Sequence, residues 1–279
     1  MLDLDPKRTG TEPRAAATVL WVREAGGAVE VFCVERNKKA RFLGGAIVFP
    51  GGKVDELDRE AGWPATPPAP VRDPKFADEA TLRSLLVAVC RESLEEAALL
   101  PLEGTVAHDD LLALRAEMAR GERTLRAWLT EKSRVLDLGA LRPFSRWITP
   151  VVEARRYDTR FFVGIAPAGQ PGAHDNEETM SSFWTTPLAV LERFAKNEVQ
   201  LAPPTHRTLE QIAGAKTAAD VFAIAERNDL DPICPELVPS KDTLALVLPF
   251  DPEHSTRTPR VPGKSRYVLR GEQWRAEDA

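Results

Sequence analysis

Cysteine is almost absent from this chain, with Cys33, Cys90 and Cys234 the only three among 279 residues. An odd count at wide spacing excludes a disulfide framework and fits a reducing compartment. Cys33 and Cys90 sit inside apolar segments and read as inert core residues. Long hydrophobic runs are also missing, and nothing approaches the ~18 apolar residues of a membrane span. Met1 to Pro6 lack the basic and apolar regions of a secretory leader, so a cytoplasmic protein is expected. Positive charge is not in excess: the net charge of −5 argues against broad nucleic-acid binding. Histidine is scarce, and His108, His174, His206 and His254 show no His-Glu-x-x-His spacing for a zinc hydrolase. There is no Gly-x-Ser-x-Gly elbow. Gly263-Lys264-Ser265 ends like a phosphate loop, but the required upstream glycine is Thr258 and no strand precedes it.

What the chain does have is ordinary globular material, 43% hydrophobic and 28% charged. Its length exceeds the ~100–150 residues of a typical domain, so one enlarged domain with insertions is expected. The most informative stretch is Arg91-Glu92-Ser93-Leu94-Glu95-Glu96. On a helix, Glu92, Glu95 and Glu96 stand at i, i+3 and i+4 and share one face. Three crowded carboxylates repel one another unless cations sit between them. Leu82, Leu85, Leu86, Val89, Ser93 and Ala97 form the opposite, core-facing stripe. Arg91 precedes Glu95 by one turn and is placed to pair with it. The alternative is a solvated acidic face, and the string alone does not exclude it. The apolar strand Ala46 to Phe49, ending in Pro50-Gly51-Gly52, adds a turn where backbone groups can approach a metal or a phosphate.

Together these residues resemble the Nudix hydrolase signature, in which a glycine and an acid precede Arg-Glu-hydrophobic-x-Glu-Glu-x-Gly-hydrophobic. Gly52 begins it, Arg91, Glu92, Glu95 and Glu96 hold the charged positions, and Leu99 ends it. Ser93 stands where the family has an aliphatic residue, and Ala98 where it has glycine. The halves are also pulled apart: Asp58 follows Gly52 at the expected interval, but 32 residues rather than seven separate it from Arg91. Asp58, Asp78 or Glu79 could each serve as the early acid, or none of them. The excess includes a proline-rich stretch from Ala61 onward that neither a helix nor a strand interior can accommodate. The helix restarts near Asp78, with Asp78 or Thr81 as N-cap.

Arg36, Arg41, Gly45 and Phe49-Pro50-Gly51-Gly52 follow a spacing similar to that of the coenzyme A diphosphatase branch of this family, although the leading half of that motif is degenerate here. Clustered guanidinium groups suit a substrate carrying a 3′-phosphate beside its diphosphate; a soluble basic loop is the plain alternative. Trp147 to Pro150, Arg155 to Phe162 and Trp184 to Pro187 extend the likeness to a long-insert subgroup of acyl-coenzyme A diphosphatases. Arg156 and Arg160 join Arg36, Arg41 and Gly52 as expected substrate contacts. The resemblance implies an α/β fold, a Nudix-type α/β/α sandwich with a mixed sheet, plus a proline-rich loop insertion and a helical insertion. It also implies Mg²⁺ or Mn²⁺ held by Glu92, Glu95, Glu96 and the Gly51 carbonyl. Glu178, with Glu177 second, is the candidate further carboxylate before Trp184, and Glu95 or Glu178 is the candidate base. The expected substrate is coenzyme A or its acyl derivative, cleaved to 3′,5′-ADP and (acyl-)4′-phosphopantetheine. NADH, ADP-ribose and nucleotide sugars are the alternatives, as is a non-catalytic binding module. The last residues, Arg275 to Ala279, are not a peroxisomal address.

Along the chain, residues 1–14 read as an N-terminal tail and 15–250 as the domain, with insertions at about 59–78 and 103–135. Residues 251–279 read as a C-terminal tail that wraps the surface or is partly disordered. Paired strands around Gly26-Gly27, two helices broken near Gly121, a helix opened by Pro187, one helix over 205–227 and a late strand over 243–250 complete the expectation. Oligomeric state is not legible, and a homodimer remains open.

Overall fold

A computed structural model describes residues 4–5, 8, 10–36, 45–71, 73–175, 179–240 and 243–279. The first hairpin joins β1 (Arg14–Ala25) to β2 (Ala28–Arg36). Gly26 and Gly27 link them with φ of 57° and 77°, the left-handed pair that a two-residue hairpin turn requires. Two short strands follow, β3 (Ile47–Val48) and β4 (Gly51–Lys53), then the long helix α1 (Glu79–Ala97). Helices α2 (His108–Ala119) and α3 (Leu125–Glu131) form the helical insertion, and the break between them contains Gly121 at φ 69°. Strands β5 (Arg142–Ile148), β6 (Tyr157–Ile165) and β7 (Thr179–Thr185) complete the main sheet.

The main sheet runs β3-β2-β1-β6-β5, with β4 also pairing β1 and β7 pairing β2. It is mixed, because β1 and β6 are parallel while the other pairs are antiparallel. The alternation of β1 divides the core. Ala17, Val19 and Trp21 pack with α1, α2 and α3 on one face, and Leu20 and Val22 face the opposite layer. That layer contains α4 (Pro187–Ala195), α5 (Pro203–Ile212) and α6 (Ala218–Arg227). The expected α/β/α arrangement is thus present. Cys33 and Cys90 are fully enclosed in the core, and burial pushes the Cys33 thiol up to about 12.

Two features differ from the sequence expectations, and a third meets them with an added anchor. The single helix expected over 205–227 is split into α5 and α6, because Thr217 and Asp220 form a reciprocal capping box that starts a new helix. The segment expected to be a C-terminal tail is folded. Strands β8 (Glu236–Ser240), β9 (Thr243–Val247), β10 (Arg266–Arg270) and β11 (Gln273–Glu277) form a second sheet in the order β11-β10-β9-β8. Its Leu246, Tyr267 and Trp274 enter the core beneath the main sheet, which fixes this sheet against the domain while its other face stays open. The proline-rich insertion lacks regular structure beyond short turns but is anchored by two aromatics. Trp63 is buried and donates its indole N–H to the Leu57 carbonyl at 3.1 Å, while fully buried Phe76 meets Phe162 edge to face at 5.8 Å.

Helix α1 begins where Asp78 accepts the Thr81 amide at 2.7 Å. It ends at Ala98, whose φ of 50° and ψ of 38° place it in the left-handed region that a glycine would occupy without strain. Ser93 also has a local cause. It is completely buried, accepts the Trp21 indole N–H at 2.6 Å and donates to the Leu99 carbonyl at 2.8 Å. An aliphatic side chain there would leave both groups unpaired. Among the described residues, no helix is long and apolar enough to cross a membrane.

Candidate active site

The turn after β3 carries the first half of the site. Thr18 on β1 donates to the Pro50 carbonyl at 2.7 Å, and the Val19 amide donates to the same oxygen at 2.9 Å. This draws the turn against β1, so a Cβ on Gly51 would lie 2.4 Å from the Ala17 carbonyl. A Cβ on Gly52 would lie 2.4 Å from Glu92 Oε1. The first glycine is required by backbone approach, the second by the space a carboxylate occupies.

Helix α1 supplies the second half. Glu96 is buried, and one of its oxygens accepts the Gly51 amide at 2.9 Å. Arg91 organises the rest. Its Nε and Nη2 grip the two Asp58 oxygens at 3.0 and 2.8 Å, and its Nη1 reaches Glu92 at 2.9 Å and Glu95 at 3.1 Å. Nη2 also donates to the Lys53 carbonyl at 3.0 Å, tying the helix to β4. Burial works against the Arg91 charge, but Asp58, Glu92 and Glu95 outweigh it and hold its pKa above the usual value. Burial is also the main cause that raises the Glu95 carboxyl to about 7; Arg91 opposes the rise and Glu92 adds to it.

Of the three early-acid candidates, only Asp58 reaches Arg91. Its side chain is fully enclosed and also accepts the Asp55 amide at 2.8 Å. Asp78 is spent as the α1 N-cap. Glu79 opens that helix, roughly 18 Å along the axis from Arg91.

Glu92, Glu96, Gly51, Gly52, Lys53, Arg36 and Arg155 line one cleft of about 430 Å³, together with Thr18, Tyr157 and Thr159. Glu95 does not line it, because its carboxylate is drawn to Arg91. Among the described residues, no group of three acidic, histidine or cysteine side chains closes around a common point. Glu92 and Glu95 turn towards Arg91, and Glu96 towards the Gly51 amide. The donor set still fits a hard divalent cation: carboxylate oxygens project from one helix face beside a turn stripped of side chains.

Two of the remaining expected contacts, Arg160 and Arg156, lie on and just before β6. Tyr157 and Thr159 face the cleft, so Arg160 faces the other side of β6. It is buried, paired with Asp158 at 2.8 Å, and donates to the Phe76 carbonyl. Arg156 is likewise structural, donating to the carbonyls of Thr149 at 3.1 Å and Thr11 at 2.5 Å. The exposed Arg155 takes the cleft position instead; it and Arg156 both stand in the irregular segment just before β6. Arg41, Glu177 and Glu178 lie outside the described residues.

The family model for the NUDT19 Nudix domain matches residues 65–212, more than half of the chain. The chain belongs to the Nudix family. This Nudix protein is 30% identical over 248 residues to the acyl-coenzyme A diphosphatase NUDT19 of Gallus gallus, covering 72% of the chain and 66% of the relative. It is 26% identical over 225 residues to the Xenopus laevis protein of the same name, covering 66% of the chain and 59% of the relative. The chain therefore spans less than two thirds of the length of these curated relatives. A solved Nudix hydrolase from Alicyclobacillus acidocaldarius superposes with a TM-score of 0.63 at 28% identity, covering 76% of this chain and 96% of that one. The Nudix match begins after Asp58, so the first half of the split signature rests on the geometry around Arg91.

Proposed function

We propose that the chain is a metal-dependent diphosphohydrolase that cleaves coenzyme A or acyl-coenzyme A to 3′,5′-ADP and (acyl-)4′-phosphopantetheine. The observation that carries this reading is the cleft in which Glu92 and Glu96 meet the Gly51-Gly52 turn, with Arg36 and Arg155 on its walls. The kinship with two acyl-coenzyme A diphosphatases supports the substrate class.

A diphosphate resists attack because its oxygens repel a nucleophile, so its charge must be neutralised and water positioned. Mg²⁺ or Mn²⁺, held by Glu92 and Glu96 with Glu95 nearby, would supply the charge and make water more acidic. Arg155 and Arg36 stand where they can bind phosphate oxygens. Arg91 orients Glu92 and Glu95 from behind. Water adds to one phosphorus, the bridging P–O bond breaks, and the bridge oxygen leaves with the other phosphate. Glu95 or Glu178 would take the proton.

The test is a product assay with coenzyme A, acyl-coenzyme A, NADH and ADP-ribose, each with Mg²⁺ and with Mn²⁺. Preferential cleavage of the first two is expected. Equal turnover of all four would overturn the substrate assignment, and no turnover at all would favour a binding module. Glu96→Gln keeps an acceptor for the Gly51 amide but removes the charge. It should lower turnover on the order of 100-fold or more with folding intact.

A further inference from the structure

On the face of the main sheet opposite α1 lies a second cavity of about 220 Å³. Phe49, Trp147, Phe161, Pro203, Pro204 and Leu246 form much of its wall. It is continuous with the acidic cleft, because Thr18, Arg36, Gly51, Tyr157 and Thr159 border both. Its far side is built by the N-terminus of α5 and by β9, the part of the chain that folds into the second sheet.

Resting on the diphosphatase reading, we propose that this cavity holds the apolar acyl arm of the substrate while the diphosphate lies at Glu92 and Glu96. The wall is poor in free hydrogen-bonding groups. Four of its residues, Pro150, Pro203, Pro204 and Pro235, have no backbone N–H. Two of its hydroxyls are already engaged, Thr18 with the Pro50 carbonyl and Thr149 with the Tyr157 backbone. Arg36 is the one charged residue among the described lining residues, and it sits on the border with the acidic cleft. Tyr157, Thr159 and Thr205 are its other hydroxyl residues, too few to replace the water partners that an adenine edge or the pantetheine amides would lose here. A hydrocarbon chain loses none and gains burial. The shared border lets one ligand reach both spaces, the polar pantetheine arm looping through the acidic cleft before its acyl end turns into the cavity, so this protein should prefer longer acyl derivatives over free coenzyme A.

Ala202 lines the cavity, is half-buried and has an extended backbone that accepts any residue. Ala202→Phe should fill the space, whereas Ile148→Ala, on the sheet side, should enlarge it. Affinities for coenzyme A and S-octyl-coenzyme A would be measured by calorimetry on full-length Glu96→Gln protein with Mg²⁺, so that turnover does not intervene. The thioether should bind about tenfold or more tightly than coenzyme A, the effect of burying only about two methylene groups. Ala202→Phe should abolish that advantage without changing coenzyme A affinity, and Ile148→Ala should alter the advantage alone. Equal affinity for the two ligands, or a parallel loss for both in Ala202→Phe, would overturn the proposal. If Ala202→Phe does not fold, Ile148→Ala decides, and an unchanged affinity ratio counts against the cavity. Turnover of coenzyme A by the wild type without an alkyl preference would sink the arm assignment and leave the diphosphatase reading standing. An alkyl preference without turnover would do the reverse, and binding of neither ligand by the wild-type protein would overturn both.

Discussion

Arg91 holds Asp58 with two hydrogen bonds, at 3.0 and 2.8 Å, across 33 positions of sequence. The pair closes the two halves of the split signature on each other, so the proline-rich insertion leaves the spacing at the site intact. Asp58→Asn removes the charge opposite a largely enclosed guanidinium and should cost about 3 kcal/mol in denaturant unfolding. Asp78→Ala removes only a helix cap and should cost about 1 kcal/mol, with activity unchanged. Equal costs and equal activities would remove Asp58 from the signature.

The two glycines of the turn should respond differently to alanine. At Gly51 the new methyl meets the backbone of Ala17 and Thr18, which cannot swing away, so the loss should appear in stability, about 2 kcal/mol or more. At Gly52 it meets the Glu92 carboxylate, which can move. Gly52→Ala should therefore fold nearly normally and lose roughly 100-fold in turnover through misplacement of that group. Thermal melts and kcat on the same preparations separate the two outcomes.

The departures from the family pattern on α1 are also testable. Ser93→Ala leaves the Trp21 indole N–H and the Leu99 carbonyl without their shared partner, at a cost of about 2 kcal/mol. Ala98→Gly relieves a left-handed alanine and should be neutral to stabilising, by up to about 1 kcal/mol. A destabilised Ala98→Gly would show that the buried methyl matters more than the backbone.

Acid should loosen the contact between α5 and β10. His206 is enclosed beside Phe194, Tyr267, Glu210, Arg207 and Arg275. Burial first, then Arg207 and Arg275, lowers its pKa to about 4. A histidine held neutral in the fold gives its full stability above its ordinary pKa near 6.5 and loses it as pH falls towards 4. The loss should amount to about 2 kcal/mol, with Glu210 at 3.4 Å offsetting part of it. His206→Gln should flatten that part of the stability profile, and an unchanged profile would remove His206 as its cause.

Much of the acidic site was legible because i, i+3, i+4 spacing on a helix is a short-range geometric fact. The arginines were not, since Arg155 and Arg156 stand in the irregular segment before β6, where no period tells which side chain faces the cleft. The second sheet was hidden for another reason. Its strands β10 and β11 have five residues each, carry several charges and follow a run of prolines and loop residues. The cue that remained was Gly271 at φ 61° between Arg270 and its partner Gln273, a two-residue hairpin turn. In the inserted loop, the prolines announced irregular backbone, but the anchoring by Trp63 and Phe76 depends on partners distant in sequence.

The parallel pairing of β1 with β6 brings Arg14 beside Tyr157. Closing so long a loop must precede any reward from that contact, which makes it a slow event in folding. The acidic helix can form early from local signals, but the strand that supplies Tyr157 and Thr159 arrives only when β6 enters between β1 and β5. During synthesis the carboxylates of α1 therefore wait beside an incomplete sheet, and the cleft acquires its far wall late in folding.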